Sequence, residues 1–284
     1  MSTSRYTGRL APSPTGLLHL GHAATFLIAH DRARAANGRL WLRIDDLDPQ
    51  RSKEHFIEAA KEDLAWLGLT WDAEVRQSQR LTLYREAMQK LLAQGAAYPC
   101  TCSRKDLQQA TQAPHEDTDD EPVYTGRCRP RAPANTSKTL EPHTNYRFQV
   151  PDAEAIAFLD EHFGPQRFLC GCNAAADFGD FLIWRKDGLP SYQLASIIDD
   201  NEMQITEVVR GRDLLKSTAR QVLLQRALQL PSPKYFHTHL LRDQRGERLA
   251  KRHDALSLRA LRESGVSPDG VRRQIQAHLH LGHA

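Results

Sequence analysis

The sequence predicts an α/β fold built on a parallel sheet. Short apolar segments of strand length alternate with longer segments in which apolar residues recur at helical spacing. Such an alternation of strands and helices is typical of parallel sheets. With 284 residues, 40% of them hydrophobic and 26% charged, the chain is long enough to bury the core that such a sheet needs.

The first elements are predicted in the order strand, helix, strand, helix. A strand is predicted over 5–11, and the proline- and glycine-rich segment 12–16 after it is expected to be a loop. A helix is predicted over 17–36, where an Asn-Gly pair forms a typical helix end. The elements that follow are a strand over 40–44 and helices over 53–67 and 83–93.

Residues 99–176 are predicted to form an inserted subdomain. Strand and helix periodicity stops here, and all five cysteines lie in this stretch. Beyond it we expect a strand at Phe181–Trp184, a helix over 214–228 and a strand over 236–241. The predicted organisation is an α/β domain in two halves, 1–98 and 177–241, with an insertion over 99–176 and a helical C-terminal part over 242–284.

Composition limits the possible classes of function. No apolar run approaches the roughly 18 residues of a membrane-spanning helix, and the N-terminus lacks the apolar core of a signal peptide. Four of the five cysteines lie in two Cys-x-Cys pairs, which in a reducing compartment favours metal binding or free thiols over disulfides. We therefore expect a cytoplasmic protein without membrane partners. The basic segment 242–252 could contact phosphate, or it could be an ordinary solvated loop.

A histidine motif marks the start of the predicted first helix. A glycine-bearing loop leads into the helix, whose N-terminus offers unpaired N–H groups and a partial positive charge to phosphate. His19 and His22 are three residues apart and share one helix face, and Gly21 between them would let a ligand approach the backbone. Two histidines alone on a helix are more often ordinary residues without a function, so the surrounding sequence has to show whether they bind a ligand.

Other motifs supply charged groups. Asp45 begins a cluster of three carboxylates after the second strand, and open α/β sheets bind ligands at the carboxyl ends of their strands. The alternative is a polar connecting loop. Arg210 could hold a carboxylate with two parallel hydrogen bonds, or it could simply pair with Asp213. Tyr192 could likewise be an ordinary core residue.

Together these motifs resemble the glutamyl branch of the class I aminoacyl-tRNA synthetases, from residue 5 to about 261. His-Leu-Gly-His at 19–22 resembles the HIGH element, and Arg-Leu-Ala-Pro-Ser-Pro-Thr-Gly precedes it as in the glutamyl branch. Residues 43–48 resemble the family's R-I-E-D-x-D, with Asp45 in place of glutamate. Residues 180–195 resemble its D-x-x-x-x-R-x-D-G-x-P-x-Y-x-x-A element. Residues 247–252 occupy the place of the KMSKS loop, with Arg248 and Ala250 replacing a lysine and a serine.

The resemblance implies a Rossmann-type catalytic domain that forms glutamyl-adenylate from L-glutamate and ATP with Mg²⁺. The residues implied to bind glutamate are Arg9, Ala11, Ser13, Asp45, Tyr192 and Arg210. Those implied to bind ATP are His19, Gly21, His22 and Lys251, and His19, His22 and Lys251 are the implied catalytic residues. An inactive paralogue that binds RNA or nucleotide is the alternative from another class, suggested by Asp45 and Ala250.

The cysteine pattern points to a metal. By resemblance, a structural Zn²⁺ is held by Cys100, Cys102, Tyr124 and Cys128. A tyrosine oxygen is unusual among zinc ligands. Spacing alone leaves open a four-thiolate site formed by Cys100, Cys102, Cys170 and Cys172, and also a protein without metal.

The acceptor of the glutamyl group is a separate question. The sequence ends soon after the Lys251 segment, so we expect no anticodon-binding half of the kind that full glutamyl-tRNA synthetases have. Short stand-alone cores of this family transfer glutamate to queuosine, a modified base in the anticodon of tRNA(Asp). The resemblance thus implies a monomer whose RNA partner is tRNA(Asp) carrying queuosine. The alternative is a truncated synthetase that charges a tRNA 3′ end.

Overall fold

The computed structural model describes residues 5–102, 123–130, 139–173, 175–241 and 257–281. The strands are β1 Thr7–Leu10, β2 Arg39–Ile44, β3 Ala73–Arg76, β4 Ala97–Cys100, β5 Asn145–Phe148, β6 Glu154–Asp160, β7 Gly164–Cys170, β8 Phe181–Trp184, β9 Glu207–Gly211 and β10 Lys234–Thr238. The helices are α1 Leu20–Ala35, α2 Glu54–Trp66, α3 Leu81–Ala93, α4 Tyr192–Glu202, α5 Leu215–Leu228, α6 Leu258–Glu263 and α7 Pro268–Leu281.

The predicted α/β fold with a parallel sheet is confirmed. β1, β2 and β3 pair in parallel, and so do β9, β10 and β6, with β7 antiparallel at the edge. The two sheets meet where the Thr206 backbone N–H donates to the Thr7 carbonyl at 2.9 Å. Arg9 reaches the Val209 carbonyl further along, so β1 and β9 run in the same direction. The carboxyl ends of β1, β2 and β9 therefore come together.

Some elements differ from the prediction. α1 begins at Leu20 rather than at 17, because His19 has extended backbone (φ −127, ψ 174) and caps the helix with its side chain. The strand predicted over 236–241 is displaced to Lys234–Thr238. β8 does not extend the parallel sheets, because it pairs antiparallel with β5, which pairs in turn with β4.

The predicted insertion contributes strands to two of the sheets. β5 lies in the antiparallel sheet, and β6 joins the parallel sheet through the pair Tyr235 and Asp160. β6 and β7 form a hairpin that the sequence pattern did not indicate. The limits of the four predicted segments stay a prediction.

Two apolar clusters hold the sheets and helices together. One packs α1 against β1 and β2 and includes Leu10, Leu27 and Leu42. The other packs α3, α4 and α5 around residues such as Tyr84 and Leu194. Each fully buried Leu of this kind contributes about 1.5–3 kcal/mol to stability. In the described parts of the chain, no helix is both long enough and apolar enough to span a membrane.

Candidate active site and metal centre

A cavity of about 420 Å³ lies at the carboxyl ends of β1, β2 and β9, the usual ligand position in an open α/β sheet. The sequence-predicted residues that line it are Arg9, Ala11, Ser13, His19, Gly21, His22, Asp45, Tyr192 and Arg210. Lys251, the remaining one, lies outside the described residues. A larger surface cavity of about 1190 Å³ includes Tyr6, Arg32 and Glu207 but none of the predicted site residues. The smaller cavity is therefore the candidate active site.

The histidine motif forms a compact cap on α1. The Gly21 backbone N–H donates to Nδ1 of His19 at 3.1 Å, and the His19 backbone N–H donates to Nδ1 of His22 at 3.3 Å. The two rings stack with their centroids 3.7 Å apart. A Cβ atom at position 21 would lie 3.0 Å from Cε1 of His19. A side chain here would therefore press on the His19 ring, which is a different role for this glycine from the ligand approach expected from the sequence.

The hydrogen bonds of the two histidines define their tautomers. Because Nδ1 of each ring accepts a hydrogen bond, each neutral ring carries its proton on Nε2. Burial lowers the pKa of His22 to about 3, and positive charge on His19 would lower it as well. His22 is therefore neutral at physiological pH and donates through Nε2–H. Such donors beside a helix N-terminus suit a phosphate.

Asp45 is held by an arginine that sequence reasoning did not assign. Arg43 donates to both carboxylate oxygens of Asp45, at 2.7 and 3.2 Å, and to Asp200 at 2.7 Å. Arg9 shares the Asp200 oxygen at 3.4 Å and donates to the Val209 carbonyl at 2.8 Å. Burial raises the pKa of Asp45 to about 6, although Arg43 opposes this shift. The sequence signal that could have identified Arg43 is a charged residue among the apolar residues of a predicted strand.

Arg210 lies on the opposite wall and is almost completely buried, with 5% of its surface exposed. It donates to the Tyr192 hydroxyl at 3.2 Å, to Thr218 at 2.7 Å and to His237 at 3.3 Å. Tyr192 is the first residue of α4 and is 38% exposed, so it is not the core residue of the alternative reading. The cavity thus has the Arg210 guanidinium on one wall and the Asp45 carboxyl group on another.

A second cluster lies away from the cavity. Within the described ranges, the one group of three or more potential metal ligands is Cys100, Cys102 and Cys128, whose ligand atoms lie within 4.8 Å of one another. The Tyr124 hydroxyl is 3.8 Å from Sγ of Cys100 and 3.7 Å from Sγ of Cys102. All four residues of the predicted set are therefore adjacent.

The other two cysteines have different surroundings. The Cys170 thiol donates to the Pro151 carbonyl at 3.3 Å, and Sγ of Cys172 accepts from Arg129 at 3.3 Å. Neither belongs to the three-cysteine group. The four-thiolate arrangement is therefore not the one that the structure has.

Comparisons with known proteins agree with this geometry. Residues 6–279 match the family model "tRNA synthetases class I (E and Q), catalytic domain". A glutamyl-Q tRNA(Asp) synthetase of Symbiobacterium thermophilum is 46% identical, over 93% of this chain and 83% of its own length. Another from Rhodobacter capsulatus is 43% identical, over 94% of this chain and 98% of its own.

A solved structure agrees as well. The glutamate tRNA ligase of Elizabethkingia meningosepticum, solved in complex with its amino acid, superimposes with a TM-score of 0.71 at 28% identity. The match covers 92% of this chain and 53% of that one, so the chain spans about half the length of that ligase. By the family model and by its relatives, the chain belongs to the glutamyl- and glutaminyl-tRNA synthetase family of class I catalytic domains.

Proposed function

We propose that this protein activates L-glutamate with ATP and transfers the glutamyl group to queuosine in the anticodon of tRNA(Asp). The observation that carries the first step is the candidate active site, in which the predicted glutamate residues and the histidine motif line one cavity. The second step rests on two relatives that are named glutamyl-Q tRNA(Asp) synthetases. The match with this chain covers 83% and 98% of their own lengths.

The two walls of the cavity suit the two ends of glutamate. Arg210 and Tyr192 receive the side-chain carboxylate, because a guanidinium binds carboxylate oxygens with paired hydrogen bonds. Asp45 attracts the ammonium group from the other wall. Arg43 holds Asp45 at both oxygens, so this shorter acid is rigidly placed despite lacking one methylene of the family's glutamate.

This placement leaves the α-carboxylate of glutamate near the start of α1. One of its oxygens bonds to the α-phosphorus of ATP, the bond from that phosphorus to the bridging oxygen breaks, and pyrophosphate leaves. His19 and His22 present donors to the phosphates, and donors fixed before the reaction stabilise the charge that develops. Mg²⁺, which class I synthetases generally use with ATP, neutralises phosphate charge.

The cysteine cluster fits a structural zinc ion. Zn–S bonds of about 2.3 Å in a tetrahedron place two sulfur atoms about 3.8 Å apart, and Sγ of Cys102 lies 3.5 Å from Sγ of Cys128. The buried Arg147 donates to Sγ of Cys100 at 3.4 Å and stacks on the Tyr124 ring, which would offset the negative charge of the ligands.

Glutamate activation is tested by ATP–pyrophosphate exchange without RNA. We expect glutamate-dependent exchange, which an inactive paralogue would not show. Replacing Lys251 by alanine should lower the exchange rate by about 10²–10³-fold, because one cation that stabilises the leaving pyrophosphate is lost. Lys90→Ala, at an exposed position in α3, is the matched control and should exchange like the wild type. An unchanged rate in Lys251→Ala would show that this lysine is not a phosphate ligand.

Zinc is tested by metal analysis of two cysteine variants. We expect about one zinc per chain, as in a four-ligand structural site. Cys128→Ser should lose the metal because it removes a ligand, whereas Cys170→Ser should keep it because its thiol faces the Pro151 carbonyl. The opposite pattern would restore the four-thiolate alternative.

The pH dependence of glutamate binding is tested through Asp45. The pKa of this carboxyl is raised to about 6, so it is ionised above that pH and becomes neutral as the pH falls through it. Only the ionised form attracts the ammonium group. The KM for glutamate should therefore be flat above neutrality and rise about tenfold per pH unit in acid. Asp45→Asn should have a high KM for glutamate that does not vary with pH. If this variant instead keeps the wild-type dependence of KM on pH, Asp45 is not the titrating group.

A further inference from the structure

A buried chain of polar side chains lies behind the candidate active site. We propose that Asp160 and His237 are positioning residues that orient the Arg210 guanidinium and so make the pocket selective for a carboxylate. This proposal rests on the proposed function, in which Arg210 binds the glutamate side chain.

The contacts of Arg210 leave a defined part of its guanidinium for a ligand. Nε donates to Nε2 of His237 at 3.3 Å, Nη1 to the Tyr192 hydroxyl at 3.2 Å and Nη2 to Thr218 at 2.7 Å. These bonds use three of the five N–H donors of an arginine, which leaves one on each Nη atom. An end-on fork to a carboxylate needs one N–H from each Nη atom, so the two remaining donors are sufficient for it.

His237 can fix this orientation only if Nε2 carries a lone pair. Nδ1 of His237 lies 2.6 Å from the Asp160 carboxylate, and both side chains are completely buried. An ionised carboxylate only accepts hydrogen bonds, so Nδ1 carries the proton and Nε2 is the acceptor. Nε2 then accepts from Arg210 and lies 3.0 Å from the Thr218 hydroxyl.

The charge state of the pair is fixed by its surroundings. The Asp160 carboxylate accepts three backbone N–H groups, from His162 at 3.1 Å, Phe163 at 2.8 Å and His237 at 3.0 Å. Burial acts to raise the pKa of Asp160, but the hydrogen bond from the His237 ring and these backbone donors outweigh it and lower the pKa. Burial and the Arg210 charge lower the pKa of His237 to about 4. A neutral imidazole therefore faces the guanidinium, and no positive charge repels it.

Strand order explains why these residues meet. His237 on β10 is directly opposite Arg210 on β9, and Asp160 ends β6 on the other side of β10. The β6–β7 hairpin therefore supplies the carboxylate that sets the tautomer. Its attachment to β10 gives the hairpin a role in amino-acid selection.

The test is Asp160→Asn, assayed by glutamate-dependent pyrophosphate exchange. The introduced amide can donate a hydrogen bond to Nδ1 of His237. The imidazole proton then moves to Nε2 of His237, where it points at the Nε–H of Arg210 and prevents their hydrogen bond. We expect the KM for glutamate to rise about 10- to 100-fold, the effect of losing one hydrogen bond to a charged group. The KM for ATP should change less than about twofold, because this histidine and carboxylate do not line the cavity.

Controls separate positioning from folding. Tyr235→Phe removes a buried hydroxyl from β10, the strand that carries His237. That hydroxyl bonds to Gln225, so its removal should leave the KM values for glutamate and ATP unchanged. His237→Gln can place an amide oxygen near the position of Nε2 and should keep the KM for glutamate closer to wild type than His237→Leu does. If Asp160→Asn does not fold, this pair of His237 variants decides the question.

The outcomes of this proposal and of the proposed function are distinguishable. A wild-type protein without glutamate-dependent exchange would refute glutamate activation itself. A wild-type protein that exchanges normally, with an Asp160→Asn variant whose KM for glutamate is unchanged, would overturn the positioning role alone. Equal KM values for the His237→Gln and His237→Leu variants would overturn it as well.

Discussion

Replacing Arg210 by alanine should lower kcat/KM for glutamate in pyrophosphate exchange by about 10²–10⁴-fold, because two hydrogen bonds to a charged group are worth about 1.5–3 kcal/mol each. The loss also leaves the buried His237 acceptor without its Arg210 donor. The KM for ATP should stay close to its wild-type value, since Arg210 faces the amino acid in this account. Arg210→Lys should lie between wild type and alanine, because lysine keeps the charge but not the fork.

The matched control is Arg212→Ala, two residues further along. Arg212 is exposed and does not line the candidate active site. Its removal should leave kcat/KM for glutamate within about twofold of wild type, as is usual for surface residues. If Arg210→Ala behaved like Arg212→Ala, the side-chain carboxylate of glutamate would have to bind elsewhere.

Removing queuosine from tRNA(Asp) should reduce transfer of glutamate to background. The modified base carries a cyclopentenediol whose hydroxyl is the proposed acceptor, and bases in single-stranded loops are the usual targets of sequence-specific RNA recognition. The same enzyme should still exchange pyrophosphate, because adenylate formation needs only the groups around the cavity. Loss of transfer with retained exchange would separate the second step from the first.

Local sequence signals predicted much of the framework of the candidate active site. Proline and glycine after β1 indicated the loop that carries Ala11 and Ser13, and helical periodicity indicated α1. The rule that ligands bind at the carboxyl ends of parallel strands placed Asp45 at the site. The loop and the helix were predicted correctly because each depends on residues close together in the chain, whereas the role of Asp45 stays a prediction. The start of α1 was predicted too early because a capping role for the His19 side chain is not encoded in apolar periodicity.

Contacts between distant residues could not be predicted in this way. Asp160 and His237 are 77 residues apart and meet only because the β6–β7 hairpin attaches to β10. Arg43 and Asp200 are 157 residues apart and form the buried pair that supports Asp45. The choice between Cys128 and the Cys170–Cys172 pair also depends on long-range folding, since both alternatives have plausible spacing.

Parts of the prediction fall outside the described residues. Lys251 and the basic segment around it belong to 242–256, which the structure does not describe. The described chain resumes beside the histidine motif, where Ser257 forms a β-bridge with His19 and the Leu258 N–H donates to the Leu18 carbonyl at 2.8 Å.

The position of the glutamyl group on the RNA shows whether queuosine is the acceptor. Total tRNA is incubated with labelled glutamate, ATP and the protein, the glutamylated tRNA(Asp) is digested with a nuclease, and the labelled fragment is identified. Our account predicts label on the anticodon fragment that contains queuosine, in an ester that mild alkali removes. Label on the 3′-terminal adenosine, or equal labelling of tRNA that lacks queuosine, would contradict it and identify the protein as a synthetase that charges tRNA 3′ ends.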